Sequence, residues 1–68
     1  METSIVLNGE ARRFPAPVTI AQLLQALGLS GQRVAVEVNR DIVPRSQHAT
    51  HVLRDDDRVE VVRAIGGG

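Results

Sequence analysis

The residues best placed to do chemistry are the last ones, where Val62-Arg63-Ala64-Ile65 runs into Gly66-Gly67-Gly68. Glycine has no Cβ and the largest backbone entropy cost to order, so a glycine tail adds little to fold stability. Its asset is thinness: bare backbone threads a narrow channel and can carry a terminal carboxylate to another protein's reactive centre. Two absences point the same way. All eight basic residues are arginine, so no side-chain amine is available for Schiff-base or isopeptide chemistry. With no cysteine, no side chain can carry a thiol, thioester or persulfide. The carboxylate of Gly68 is the best remaining place for a reactive group.

Other candidates are weaker. His48 and His51 have the i, i+3 spacing of metal ligands but no evident third ligand, and read as solvated surface histidines. Asp55-Asp56-Asp57 lacks the spacing and closing Glu of a calcium loop and reads as a solvated tight turn. The few hydroxyls read as caps and turns rather than nucleophiles.

Something must hold that tail. At 68 residues the chain is one domain near the lower limit of independent folding. A hydrophobic fraction of 43% with Phe14 as the one aromatic implies a small Val/Ile/Leu core. With neither disulfide nor metal cluster, its stability is expected to be only a few kcal/mol. Zero formal net charge gives no electrostatic footprint for nucleic acid or an anionic membrane. No apolar run is long enough to span a bilayer, and Met1-Glu2-Thr3-Ser4 is not the start of a signal peptide, so a cytoplasmic location is expected.

Alternation and turn chemistry predict the elements. Ser4 to Leu7 reads as a strand and Asn8-Gly9 as a hairpin turn. The return strand, Ala11 to Phe14, is broken by Pro15 and Pro17 and belongs at a sheet edge. Thr19 is a helix N-cap; Ile20, Leu23, Leu24 and Leu27 form one apolar stripe, and Gly28 is the stop. Val34, Val36 and Val38 alternate along a half-buried strand, and Asn39-Arg40-Asp41 is a turn. Ile42-Val43 is a short strand closed by Pro44, and Arg45 to Thr50 is a helical or 3₁₀ turn. Val52 and Leu53 add apolar contacts. Arg58 to Arg63 is the last strand, with Val59 and Val61 inward and Glu60 and Val62 outward. A hairpin, one helix and three further strands predict an α+β chain of the β-grasp type. The mixed sheet packs against one main helix, with first and last strands side by side at its centre. Residues 1–65 are the expected domain and 66–68 a flexible tail.

Four stretches carry a family resemblance. They are Ile5-Val6-Leu7-Asn8-Gly9, Thr19-Ile20-Ala21-Gln22-Leu23-Leu24, Val36 to Arg45, and Asp55-Asp56-Asp57-Arg58-Val59-Glu60 leading to the glycines. On these the chain resembles the ubiquitin-like sulfur carriers of bacterial cofactor synthesis. The Val-Asn-x-x-x-Val-Pro-Arg stretch over Val38 to Arg45 favours the thiamine branch over the molybdopterin branch. Two departures stand out: Asp56 occupies a turn position where the family usually has glycine, and Gly66 is one glycine more than the family requires.

The resemblance implies a co-substrate rather than an enzyme. An E1-like adenylyltransferase would use ATP and Mg²⁺ to adenylate the Gly68 carboxylate. A persulfide sulfur, drawn from cysteine by a desulfurase, would then displace AMP to leave a thiocarboxylate. In the thiamine branch that sulfur goes to thiazole synthase. No stably bound cofactor, nucleic acid or membrane is expected. Gly66 and Gly67 keep the tail thin. Val62, Ala64 and Ile65 are expected to form an apolar docking patch near it, with Arg58 and Arg63 adding polar contacts.

Other readings stay open. Val62 and Ile65 could be ordinary core, and Asn39 to Arg45 turn chemistry rather than a contact site. The chain could carry sulfur for molybdopterin or cysteine synthesis, act as a ubiquitin-like modifier attached to target lysines, or be a β-grasp binding module without C-terminal chemistry.

Overall fold

The computed structural model describes residues 1–63. Five strands, β1 (Glu2–Leu7), β2 (Glu10–Pro15), β3 (Val34–Val38), β4 (Asp41–Val43) and β5 (Arg58–Arg63), form one sheet in the order β2-β1-β5-β3-β4. β1 and β5 are parallel at its centre, and the other pairings are antiparallel. One helix, α1 (Ile20–Ala26), lies between β2 and β3 in sequence. This is the predicted β-grasp arrangement. No helix of the described residues is long and apolar enough to cross a membrane.

Strand alternation sorts the side chains. Ile5, Leu7, Phe14, Val36, Val38, Val43, Val59 and Val61 are buried in one core with Ile20, Leu23 and Leu24 of the helix. Among the described residues no helix lies over the opposite sheet face. Phe14 is closed off at the edge by the Arg12 guanidinium, 5.8 Å from the ring centre. Leu53 is buried as expected, whereas Val52 forms an isolated bridge with Thr19 and stays half exposed.

The helix is short and its start is fully capped. The Thr19 hydroxyl accepts from the Gln22 N–H at 3.2 Å, and the Gln22 side chain accepts from the Thr19 N–H at 2.9 Å. The N–H groups of Ile20 and Ala21 donate to the carbonyls of His51 and His48, so the first-turn donors are satisfied. At the other end Gly28 takes φ +74°. The N–H groups of Gly28 and Leu29 donate back to Gln25 and Leu24, a Schellman closure.

The strands run slightly beyond the predicted ends. β1 starts at Glu2 because Glu2 pairs with Pro15, and Pro15 is tolerated because β2 is the outermost strand.

One expectation is corrected. His48 is not a surface histidine: the 3₁₀ turn Arg45–Gln47 tucks it inward, leaving the residue 7% exposed, with Nε2 3.0 Å from the Val43 carbonyl oxygen. An imidazole nitrogen facing a carbonyl must carry the proton, so His48 Nε2 donates and ties the turn to the end of β4. His51 is half-buried. Among the described residues no group of three potential metal ligands comes together.

Candidate functional site at the end of the central strand

The expected working end follows β5 directly in sequence, so the fixtures of β5 set where it begins. Its start is held by a carboxylate and amide network. Asp57 accepts from the Arg54 N–H through Oδ2 at 2.8 Å and from the Asn39 side chain through Oδ1 at 3.0 Å. The Asn39 oxygen in turn accepts from the Arg58 N–H at 2.9 Å. Asp55 Oδ1 accepts from the Ser4 N–H at 2.8 Å. Two of the three aspartates therefore cap backbone rather than simply face water. Asp56 has φ +70°, the left-handed conformation for which glycine is the usual occupant. Asn39 and Arg40 also have positive φ, at 52° and 73°, so part of the Asn39 to Arg45 stretch is turn chemistry that specifies the fold.

Further along, Asn8 does what a backbone residue would do. Its Oδ1 accepts from the Val61 N–H at 2.9 Å, and its Nδ2 donates to the Val61 carbonyl at 3.2 Å. Sequence reading finds Asn8 only as a turn residue. The clasp arises because β1 ends at Leu7 while β5 runs on to Arg63.

The open sheet face beside this strand is apolar in patches. Val62 is 59% exposed and lies opposite Ala35; Ile42 is 72% exposed and lies opposite Glu37. Glu37 and Glu60 face each other directly across β3 and β5. Of the predicted docking residues, Val62 and Arg58 project on this face, while Arg63 turns away and donates to the Gln32 side-chain oxygen at 2.8 Å. Strand alternation also places Ala35, Glu37, Ile42 and Glu60 here, a set that inspection of the tail alone does not bring out. Ala64, Ile65, Gly66, Gly67 and Gly68 lie outside the described residues, as does the predicted boundary between domain and tail.

Fold and fixtures together define a ubiquitin-like β-grasp domain whose central strand, anchored along both edges, leads into the C-terminal glycine segment. The chain belongs to the ThiS family, whose family model matches residues 5–68. It is 34% identical over 64 residues to the sulfur carrier protein ThiS of Escherichia coli, covering 94% of this chain and 97% of that protein. It is 47% identical over 64 residues to a thiazole synthase of Paramagnetospirillum magneticum, covering 94% of this chain. The chain spans only 20% of the length of the thiazole synthases it matches. A crystal structure of a Geobacter metallireducens thiamine biosynthesis protein, ThiS, superposes with a TM-score of 0.81 at 26% identity, covering 97% of this chain and all of that one.

Proposed function

We propose that the chain is a sulfur carrier of thiamine biosynthesis and that Gly68 bears the sulfur. The observation that carries this reading is the anchored central strand leading into three glycines, in a ThiS-family chain with neither cysteine nor lysine. A carboxylate is a poor electrophile. An E1-like adenylyltransferase, with ATP and Mg²⁺, converts the Gly68 carboxylate to an acyl-adenylate and releases pyrophosphate. The terminal sulfur of a persulfide attacks the acyl carbon and AMP leaves. A thiol then cleaves the resulting S–S bond and frees the thiocarboxylate. That sulfur is the nucleophile handed to thiazole synthase, and the carrier returns as a carboxylate.

The chain's own residues serve this chemistry by delivery. The clasps on β5 fix the point from which the tail starts. Gly66 and Gly67 leave the tail's backbone groups free to pair with the walls of a partner's channel. Val62 and its neighbours on the open face dock the partner, with Arg58 at the margin. A segment similar to this chain inside proteins named thiazole synthase supports thiazole synthase as the acceptor. Covalent linkage is an arrangement expected of proteins that work together.

The test uses the missing cysteine. The protein is incubated with the adenylyltransferase, ATP, Mg²⁺ and a persulfide donor, treated with a thiol alkylator, and weighed intact. The expected result is an ATP-dependent alkyl adduct on the C-terminal peptide that disappears when Gly68 is deleted. No adduct from a partner shown to be active would overturn the proposal.

A further inference from the structure

The open sheet face carries charge as well as apolar surface. Its outward side chains are Arg58, Glu60 and Val62 on β5 and Ala35 and Glu37 on β3. The register sets Val62 against Ala35 and Glu60 against Glu37, with Ile42 of β4 against Glu37 on its other side. A row of Glu60, Glu37 and Ile42 therefore crosses β5, β3 and β4, and Val62 and Ala35 stand in the row beside it. Val62 and Ile42 are exposed, whereas Glu37 is half-buried.

Like charges directly opposite on neighbouring strands destabilise a sheet, because the Cβ atoms of such a pair are only about 5 Å apart. Partial burial of Glu37 removes some of the water that would screen the pair. Among the described residues neither carboxylate has an ion-pair partner; the ion pair there joins Arg13 and Glu2 at the β2 edge. Arg58 shares the face without pairing with Glu60. Nor does a third potential ligand join the two to make a divalent-ion site among the described residues. Local rules of this kind are broken chiefly at functional sites. Two uncompensated carboxylates flanked by exposed apolar side chains are the complement of a cation carried on an apolar surface.

We propose that a cationic side chain of the adenylyltransferase docks between Glu37 and Glu60, while Val62 and Ile42 meet apolar groups around it. The proposal rests on the sulfur-carrier reading, which supplies that partner. Arginine suits the place best, since its planar guanidinium has donors enough to reach both carboxylates. The cation relieves the repulsion that the free domain carries, and the apolar contact excludes water and strengthens the charge pairing. The two kinds of side chain divide the work. Glu37 and Glu60 orient the partner and make binding salt-dependent. Val62 and Ile42 supply apolar contact, where a further carboxylate would be buried with no cation to meet it.

The test is the affinity of the full-length protein for the adenylyltransferase without ATP, measured by titration calorimetry at low and at physiological salt. Wild type is compared with Glu37→Gln, Glu60→Gln and Glu10→Gln. Glu10 pairs with Leu7 at the hairpin and lies on the helix side of the sheet, so its variant changes net charge equally but away from the site. Glu37→Gln and Glu60→Gln should each weaken binding about tenfold at low salt. That difference should shrink as salt rises, and Glu10→Gln should bind like wild type. The free Glu37 and Glu60 variants should melt no lower than wild type, because a repulsion has been removed. Wild-type affinity in both, equal losses in all three variants, or tighter binding overturns the proposal. So does a fall in melting temperature, which would make the pair structural. The thiocarboxylate assay on the wild-type protein decides the carrier reading separately. An adduct alongside unaffected binding of the variants removes this site and leaves that reading standing. If wild type neither binds nor is activated, both fall.

Discussion

β1 stops at Leu7 while β5 continues to Arg63, so the N–H and C=O of Val61 that point toward β1 would meet no backbone partner there. The carboxamide of Asn8 supplies one acceptor and one donor in their place. Asn8 also holds φ +48°, which asparagine tolerates better than most residues. Asn8→Gly keeps that backbone conformation and removes both bonds. It is expected to cost about 1.5 kcal/mol, or roughly 6–12 °C of melting temperature for a domain this size. Amide exchange at Val61 should accelerate; unchanged exchange there would mean the clasp does not hold the strand. Asp56 presents the opposite case. Its φ of +70° suits glycine, and its side chain makes no hydrogen bond among the described residues. Asp56→Gly relieves the left-handed strain, partly offset by a more flexible unfolded chain, and should stabilise by about 0.5 kcal/mol. A thermal melt reads this as a rise of roughly 2–4 °C; a fall would show that the carboxylate has a structural role. The sequence signals turn chemistry at Asn8 and Asp56, because asparagine and aspartate tolerate left-handed positions better than most residues. It does not signal the clasp, which depends on two strands 53 positions apart ending at different heights. Nor does it signal the burial of His48, since a histidine spacing of i, i+3 says nothing about which face of the turn meets the core.

Each element is as long as its partners allow. Alternation in Val34 to Val38 and Arg58 to Arg63 suffices to place both strands and their inward faces, because period-two burial is a local property. Strand ends are different: Glu2 and Pro15 join the sheet only because they face one another. The helix is legible for a third reason, since its cap, apolar stripe and stop all lie within ten residues of chain from Thr19 to Gly28. With only seven helical residues, α1 falls well short of the length at which isolated helices persist, so it depends on packing and on its cap. Thr19→Ala removes the hydroxyl acceptor for Gln22 and should cost about 1 kcal/mol, seen as a fall of roughly 4–8 °C in melting temperature. Thr19→Ser, which keeps the oxygen, should recover most of it. Equal losses in the two variants would assign the effect to the Thr19 methyl rather than to the cap.

At the scale of the molecule, the central position of β5 matters most for function. An edge strand would be held on one side only. β5 is paired with β1 and β3 and clasped by Asn8 and Asn39, so the strand that precedes the glycines is held on both sides. The helix covers one face of the sheet and leaves Val62, near the end of β5, and Ile42, on the edge strand β4, exposed on the other. Docking and threading should therefore be separable from folding. Val62→Glu alters an exposed strand position, where the effect on stability should stay within about 1 kcal/mol. It replaces an exposed apolar side chain with a further carboxylate beside Glu37 and Glu60 and should weaken engagement of the adenylyltransferase at least tenfold, equivalent to about 1.4 kcal/mol. On the proposed carrier function, Gly67→Leu should leave the melting temperature unchanged and block adenylation by widening the tail. Pyrophosphate release at increasing carrier concentration distinguishes the two. Val62→Glu should regain activity as concentration rises, because docking is a binding step. Gly67→Leu should stay inactive at saturation, because its carboxylate never reaches the nucleotide. If Val62→Glu instead behaves like wild type, the partner docks on another surface. If Gly67→Leu is adenylated normally, thinness is not what the glycines provide.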